Sequence, residues 1–361
     1  MKKIVICGGH HNSALVVAEK LKEKGYQVFW LGHKYSMIGD KNPSAEYLEV
    51  SKKGFPFYEI KAGKVQLQYR FWQYLARIPL GFFQSFKILR QIKPKLIFSF
   101  GGYLGLPVVY VGYLLGIPAV THEQTAVAGV ANKLIAKVAK KIFVTFESSV
   151  KYFPREKTVL TGLPLRKEIF KNKKKLFNNQ RKTIYITGGK QGSHVINKAV
   201  FEILPQLLER FNLIHQCGST TLFEDIKKAQ KLKKSLQAKG KNYLVQEYFF
   251  EDKIGGVYNT ADFVVSRAGA HSIYELLALK KPAILIPIPW ANQNEQLKNA
   301  QKLKDMGLAK ILSQEKVEKG QLWEEILEFE KNLSSKKPKV QSPLVEADAA
   351  SKIVSEIEKI L

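Results

Sequence analysis

The sequence predicts an α/β chain made of two doubly wound domains, each built on a parallel sheet. Three observations carry this. Short apolar runs alternate with helical patterns along the whole chain, which is the βαβ signature. The series pauses at a lysine- and asparagine-rich segment, 171–182, and then starts again. A length of 361 residues suits two domains at roughly 150 each.

The elements follow in order. In the first half, strands are expected at Lys3–Cys7, Gln27–Leu31, Leu96–Phe100, Ala119–His122 and Lys141–Thr145. In the second half they are expected at Thr183–Thr187, Asn212–Cys217, Tyr243–Gln246, Phe263–Val265 and Ala283–Pro287. The domains are drawn as 1–164 and 165–344, with a final helix over 345–361 beyond a Pro-containing linker at 334–343. The segment 171–182 reads as a solvated loop.

An apolar content of 45% is ample for a packed core. The two cysteines, Cys7 and Cys217, sit in strand-like runs and read as reduced core residues. The opening Met1-Lys2-Lys3-Ile4 reads as the start of a core strand, because glycines end the run too early for a signal peptide. No apolar run reaches about 18 uncharged residues. The nearest, Leu104–Val120, is broken by Pro107, Gly112, Gly116 and Pro118. The net charge of +27 points to an anionic partner, a nucleic acid or an acidic membrane, or else to a lysine-rich composition alone. No nucleic-acid-binding motif accompanies it, so no nucleic acid is expected.

Ligands of doubly wound sheets bind outside the carboxyl ends of the strands. The residues placed there are Gly8-Gly9-His10-His11-Asn12, Gly101-Gly102-Tyr103, His122-Glu123-Gln124-Thr125, Gly188-Gly189-Lys190-Gln191-Gly192-Ser193 and Ser266-Arg267-Ala268-Gly269. Glycines let backbone N–H groups approach a ligand, and a helix starting there adds a positive dipole end, so the 188–193 loop suits a phosphate. A tight strand–helix turn is the alternative reading. The 266–272 stretch suits a second anion-facing helix start, and Glu275 on that helix can accept hydrogen bonds from a ribose diol. A plain dipole-favoured glutamate is the alternative there. Glu295, Gln296 and Asn299 add a polar cluster after the last expected strand. Phosphate cradle, ribose carboxylate and amide cluster together describe a nucleotide-sugar pocket.

Seven stretches, in order, carry a family resemblance: "GGHHNSALVVAEKL" (8–21), "SFGGYLGLPVV" (99–109), "THEQTAVAGVANKL" (121–134), "TGLPLR" (161–166), "TGGKQGSHVIN" (187–197), "ADFVVSRAGAHSIYELL" (261–277) and "NQNEQLKNA" (292–300). With these the chain resembles, over nearly its whole length, the MurG family of glycosyltransferases, family 28. That resemblance implies a GT-B fold, two Rossmann-like domains facing a cleft, with the C-terminal helix joined to the N-terminal domain. It implies transfer of N-acetylglucosamine from UDP-N-acetylglucosamine to lipid I, a polyprenyl-pyrophosphate-linked muramyl peptide, at the cytoplasmic face of the membrane in peptidoglycan synthesis. By the same resemblance Glu275 holds the uridine ribose, and Arg267, Ala268, Gly269, Ala270, His271 and Ser272 line the nucleotide. Gly188, Gly189, Lys190, Gln191, Gly192 and Ser193 sit at the diphosphate with Arg166. Backbone near Phe250-Glu251-Asp252 faces uracil, and Glu295 and Gln296 face the sugar hydroxyls. Gly8, Gly9 and His10 lie near the reaction centre. Gly102, Tyr103, Thr125 and Asn132 fall on the acceptor side.

The implied reaction is an inverting displacement at the anomeric carbon with no metal and no cofactor. It needs a base for the acceptor hydroxyl. His10 is the first choice, since an imidazole titrates near neutral pH, and Glu123 the second. The chain departs from the family pattern at residues 5–7 before Gly8, at Thr125, Leu163, Leu165, Lys190 and Ser193, and at Glu295. The stretch 69–83 mixes aromatics and arginines, with Phe71, Trp72, Arg77, Phe82 and Phe83 as an expected patch for an anionic membrane surface. A core helix with an exposed basic stripe is the alternative there. Two related activities also stay open: a UDP-sugar 2-epimerase on the same fold, and a transferase using another lipid acceptor.

Overall fold

The computed structural model describes residues 1–35, 43–63, 71–171, 174–291, 294–333 and 348–361, apart from the side chains of 71–76, 171, 238 and 251. The chain divides into two compact units, Met1–Leu165 with Glu346–Leu361, and Arg166–Val345.

The first unit holds seven parallel strands: β1 (Lys3–Cys7), β2 (Gln27–Gly32), β3 (Phe57–Glu59), β4 (Leu96–Ser99), β5 (Ala119–Glu123), β6 (Lys141–Val144) and β7 (Thr158–Leu160). Their order is β3-β2-β1-β4-β5-β6-β7. The chain therefore starts at the centre, winds one way, returns, and winds the other way. The second unit repeats the plan with β8 (Thr183–Thr187), β9 (Asn212–Gln216), β10 (Tyr243–Gln246), β11 (Phe263–Ser266), β12 (Ala283–Leu285) and β13 (Ala309–Ile311). Its order is β10-β9-β8-β11-β12-β13. This is the α/β, parallel-sheet class that the sequence predicts.

Central strands are apolar on both faces because helices cover both faces. Ile4 and Ile6 of β1 face one cluster, and Val5 and Cys7 face the other. On the first face the helix His11–Glu23 buries Ala14, Leu15, Ala18 and Leu21, an i, i+4, i+7 stripe. The terminal helix Ala349–Glu358 adds Ile353, Val354 and Ile357 to the same cluster. Asp348 caps that helix by accepting from the Ser351 N–H at 3.0 Å. Lys2 Nζ donates to the Leu361 carbonyl at 2.9 Å, which ties the two chain ends within this unit.

Strands β3, β7 and β13 are absent from the sequence-based reading. Each has three residues and each is an edge strand, so each lacks the continuous apolar run that marks a buried strand. The expected strand Ala283–Pro287 stops at Leu285, two residues before a proline that has no N–H for the ladder. The 171–182 segment is solvated as expected: among its described residues 174–176 and 178–181 are exposed, and it is tied down at two points. Among its described residues the Leu176 N–H donates to Thr260 Oγ1 at 2.9 Å, and Arg181 donates to the Leu208 carbonyl at 2.9 Å. The linker expected at 334–343 lies outside the described residues. Cys7 and Cys217 are buried free thiols, each pushed up to about 12 by desolvation. No helix among the described residues is long and apolar enough to cross a membrane.

The terminal helix is thus part of a core rather than an appendage. Ile353 is fully buried, so Ile353→Ala should cost about 2–5 kcal/mol in urea unfolding. A cost well under about 1 kcal/mol would show that the helix does not share this core.

Candidate active site

In the second unit, β8 and β11 are neighbours that lead to opposite halves of the sheet, so their carboxyl ends border the crevice where doubly wound sheets bind ligands. The loop 188–193 leaves β8 and enters the helix His194–Glu202. Gly189 and Gly192 take positive φ, 87° and 83°. A Cβ on Gly192 would stand 1.9 Å from the Cys217 carbonyl oxygen, so only glycine fits. Ser193 makes no side-chain cap to the helix, and its Oγ is buried with no hydrogen-bond partner. A buried hydroxyl beside helix N–H groups is what an anion would satisfy. Lys190 is half-buried and Gln191 exposed in the same loop.

The loop after β11 is different. Gly269 has ordinary φ and ψ, −65° and 145°, and a Cβ there would meet nothing within 4 Å. Neither backbone nor packing requires glycine, which leaves room for a ligand at the start of the helix Ala270–Ala278. Ala268 and Ala270 are buried, and His271 and Ser272 are half-buried around it. Asn299 donates to the Ala268 carbonyl at 3.3 Å, so the polar cluster braces this loop. Gln296 accepts from the Ile288 N–H at 3.2 Å, and Glu295 opens the helix Glu295–Asp305. Residues 292 and 293 lie outside the described residues, as does the Glu251 side chain.

Arg267 does not line this opening with its guanidinium. It turns inward, donating to the carbonyls of Ile286 (3.2 Å) and Pro287 (3.5 Å) and to Gln314 Oε1 (2.8 Å). The physical reason is that two strand-end carbonyls and an amide oxygen lie buried beside it and need donors. Burial lowers its pKa to about 10.

Glu275 is buried and already engaged. Its Oε1 accepts from Arg166 Nη2 and His271 Nε2, both at 3.0 Å, and its Oε2 accepts from Tyr258 OH at 2.7 Å. Three of roughly four acceptor directions are therefore used. Burial alone would raise this carboxyl. The charges of His271 and Arg166, with hydrogen bonds from His271 and Tyr258, outweigh it and hold the group below the usual carboxylate range. Arg166, expected at the diphosphate, stands in this cluster.

In the first unit, Gly8 has φ 120°, and a Cβ there would meet the backbone of Phe100 and Gly101 at 2.8 Å. The β1 and β4 loops thus touch backbone to backbone. Gly9 is exposed and its Cβ position is open. The two adjacent histidines separate cleanly. His11 is buried, with Nε2 2.6 Å from Glu49 Oε2, whereas His10 is exposed at the helix start. Gly102 is exposed nearby, and Tyr103 lies against the His33 ring at 5.5 Å.

Glu123 has the geometry of an anchor rather than a base. It is buried and accepts four hydrogen bonds, from Thr125 N (3.0 Å), Thr125 Oγ1 (2.8 Å), Gly129 N (3.0 Å) and Asn132 Nδ2 (2.9 Å). Asn132 also accepts from Thr121 Oγ1 at 3.0 Å and donates to the His122 carbonyl at 3.2 Å. Thr125 and Asn132 are thus buried supports of the loop. His122 donates from Nε2 to the Gly162 carbonyl at 3.0 Å, and burial lowers its pKa to about 4.

The helix Phe71–Ile92 exposes Leu80, Phe83 and Phe86, with Arg90 over the Phe86 ring. Phe82 instead packs on the core, one residue round from Phe83. Arg77 is half-buried. Residues 69 and 70 and the side chains of Phe71 and Trp72 lie outside the described residues. Tyr113, Leu114, Val130 and Leu134 are further exposed apolar residues, on the helices Gly102–Leu114 and Val130–Val138. Among the described residues no three His, Cys, Asp or Glu side chains group as a metal site.

Residues that the sequence reading passed over include Tyr258, Glu49 and Gln216, all bonded to parts of these loops. The signal for Gln216 was present, as a polar residue just before the turn Cys217-Gly218 at a strand end.

Glu275→Gln should lower the stability of the second unit by about 3–5 kcal/mol, because it leaves Arg166 buried without its countercharge. The pKa of Glu275 is depressed in the fold, so its contribution is full above the ordinary glutamate value of about 4.3 and fades as pH falls below it. Denaturant titrations of both proteins from pH 7 to pH 3 should show the gap narrowing only at the acid end. A gap independent of pH would exclude an ionised Glu275 as its source.

The family description "Glycosyltransferase family 28 N-terminal domain" matches residues 7–144, and "Glycosyltransferase family 28 C-terminal domain" matches residues 183–357. A Bacillus cereus UDP-N-acetylglucosamine–N-acetylmuramyl-(pentapeptide) pyrophosphoryl-undecaprenol N-acetylglucosamine transferase is 33% identical over 92% of both chains. The transferase of the same name from Clostridium kluyveri is 32% identical over 99% of both. A crystal structure of Acinetobacter baumannii MurG is 26% identical, with a TM-score of 0.66 over 99% of this chain and 100% of that one. A Neisseria meningitidis UDP-GlcNAc 2-epimerase shares the fold at 14% identity and a TM-score of 0.62, over 99% of this chain and 100% of that one.

Proposed function

This chain belongs to glycosyltransferase family 28 and has its GT-B fold, and on that premise we propose that it moves N-acetylglucosamine from UDP-N-acetylglucosamine to the muramyl 4-hydroxyl of lipid I in peptidoglycan synthesis. The observation that carries the donor side is the 188–193 loop, with its glycine-enforced backbone, its uncapped helix start and its unsatisfied buried Ser193 hydroxyl.

The mechanism follows from what each group can do. The acceptor hydroxyl attacks the anomeric carbon from the side opposite the departing UDP, so the configuration inverts. His10, exposed and next to Gly9, takes the hydroxyl proton. Glu123 is too fully hydrogen-bonded to serve and holds the neighbouring loop instead. Charge growing on the leaving diphosphate meets the amides at the start of the helix His194–Glu202 and the Lys190 cation, which removes the need for a metal. Glu275 has one acceptor direction left for a ribose hydroxyl, and the opening at Gly269 admits the nucleotide. Glu295 and Gln296 read the sugar.

The acceptor carries a polyprenyl chain, so the protein works at a membrane. Exposed Leu80, Phe83, Phe86, Tyr113 and Leu114, with Arg90 among them, form the contact for an anionic surface at the cytoplasmic face. Replacing Phe83 and Phe86 by serine should cut cosedimentation with phosphatidylglycerol-containing vesicles at least about fivefold, since each buried aromatic is worth on the order of 1–2 kcal/mol. Unchanged cosedimentation would move the contact elsewhere.

UDP release from UDP-N-acetylglucosamine, assayed with and without a short-chain lipid I analogue, tests the activity. Release that requires the analogue and yields a disaccharide-lipid is expected. His10→Ala should lower kcat by about 10²–10⁴ while donor affinity stays within about threefold. Epimer formation from the donor without any acceptor would replace this reading by the 2-epimerase one.

A further inference from the structure

We propose that Gln216 is a positioning residue: it sets the peptide planes of the 188–193 loop, and through them the grip of this protein on a nucleoside diphosphate. This rests on the nucleotide-sugar reading above.

Gln216 ends β9 and stands beside Thr187, the last residue of β8. It is 3% exposed, and its side chain has four bonds. Nε2 donates to Thr187 Oγ1 at 3.0 Å and to the Gly189 carbonyl at 2.9 Å. Oε1 accepts from the Phe249 N–H at 3.1 Å and from Tyr185 OH at 3.3 Å. The orientation of the amide is unambiguous, since the Gly189 carbonyl can only accept and the Phe249 N–H can only donate.

The next residues continue the pattern. The Ser219 N–H donates to the Lys190 carbonyl at 2.9 Å, and the Thr220 N–H to the Gln191 carbonyl at 3.3 Å. The carbonyls of residues 189, 190 and 191 are therefore all drawn toward one segment, 216–220. In a planar trans peptide the C=O and the following N–H point in opposite directions. The N–H groups of Lys190 and Gln191 are thus turned away from that segment, on the side left for an anion, while the Gly192 N–H closes the turn onto Gly189. Close approach of the two backbones makes this possible, for a Cβ on Gly218 would lie 2.0 Å from the Gly192 nitrogen.

Gln216 also reaches the Phe249 backbone, at the loop before the helix Glu251–Thr260. One buried side chain spans the phosphate loop and that second loop. Gln216→Glu separates the two duties. It keeps an oxygen for the Phe249 N–H and Tyr185, but it sets a second oxygen against the Gly189 carbonyl, which repels it.

The test is isothermal titration calorimetry of UDP and of uridine with the full chain, as wild type and Q216E. Wild type should bind UDP more tightly than uridine. Q216E should lose about tenfold or more in UDP affinity, with uridine affinity within about twofold. Equal loss for both ligands would make Gln216 a merely structural residue and overturn the proposal, as would no loss at all. Wild type that binds neither ligand would overturn the nucleotide-sugar reading, and this inference with it. Should Q216E fail to fold in a thermal melt, Gln216→Met keeps the volume without a charge and is judged by the same UDP-selective loss.

Discussion

A backbone that is to hold an anion must show it N–H groups and hide its carbonyls, yet each peptide carries one of each. At the anion site proposed for residues 188–193, the neighbouring strand end resolves the conflict. The segment 216–220 donates to three successive carbonyls, those of residues 189, 190 and 191, and the N–H groups of Lys190 and Gln191 face the other way. Everything nearby serves this arrangement. Gly192 and Gly218 lack side chains because the two backbones nearly touch. Asn197 holds the Cys217 carbonyl at 2.9 Å, and Asn197 is itself held by His215 at 3.0 Å and by Asp225 at 2.8 Å. Asn197 Nδ2 donates to the Cys217 carbonyl and to Asp225, so its Oδ1 accepts from His215 Nε2, and burial lowers the His215 pKa to about 3.

The same logic separates the ionisable groups by burial. Glu123, Glu49 and Glu275 are all buried carboxylates with protein partners. Removing a carboxylate from water costs several kcal/mol, and only dense hydrogen bonding or a countercharge offsets that. Such groups hold geometry. His10, by contrast, is exposed at the helix start, as the base proposed above has to be. Arg267 follows the carboxylates: buried, it serves the carbonyls of Ile286 and Pro287 rather than a ligand.

Of the fold, ten strands, the four-residue edge strand β10 among them, were legible from apolar runs, within one or two residues at their ends. The edge strands β3, β7 and β13 were not, because a three-residue strand with one open side leaves no run to read. Of the candidate site, the glycine loops and Glu275 stood out because small residues at strand ends, with a carboxylate on the helix that follows, are chemically unusual. Tyr258 and Gln216 did not, because a tyrosine within a helix and a glutamine at a strand end are ordinary until their partners are known.

The sequence by itself determined which segments become strands and helices, and where loops rich in glycine fall. Those follow from local periodicity and backbone sterics. Only the tertiary structure decided what the loops' neighbours do: that His11 is buried against Glu49 and His10 exposed, that Phe82 turns inward and Phe83 outward, that Arg267 points into the protein, and that Gln216 grips Gly189. Each of these depends on residues distant in the chain, and the choice between two adjacent side chains is made by the direction each takes once the sheet has formed.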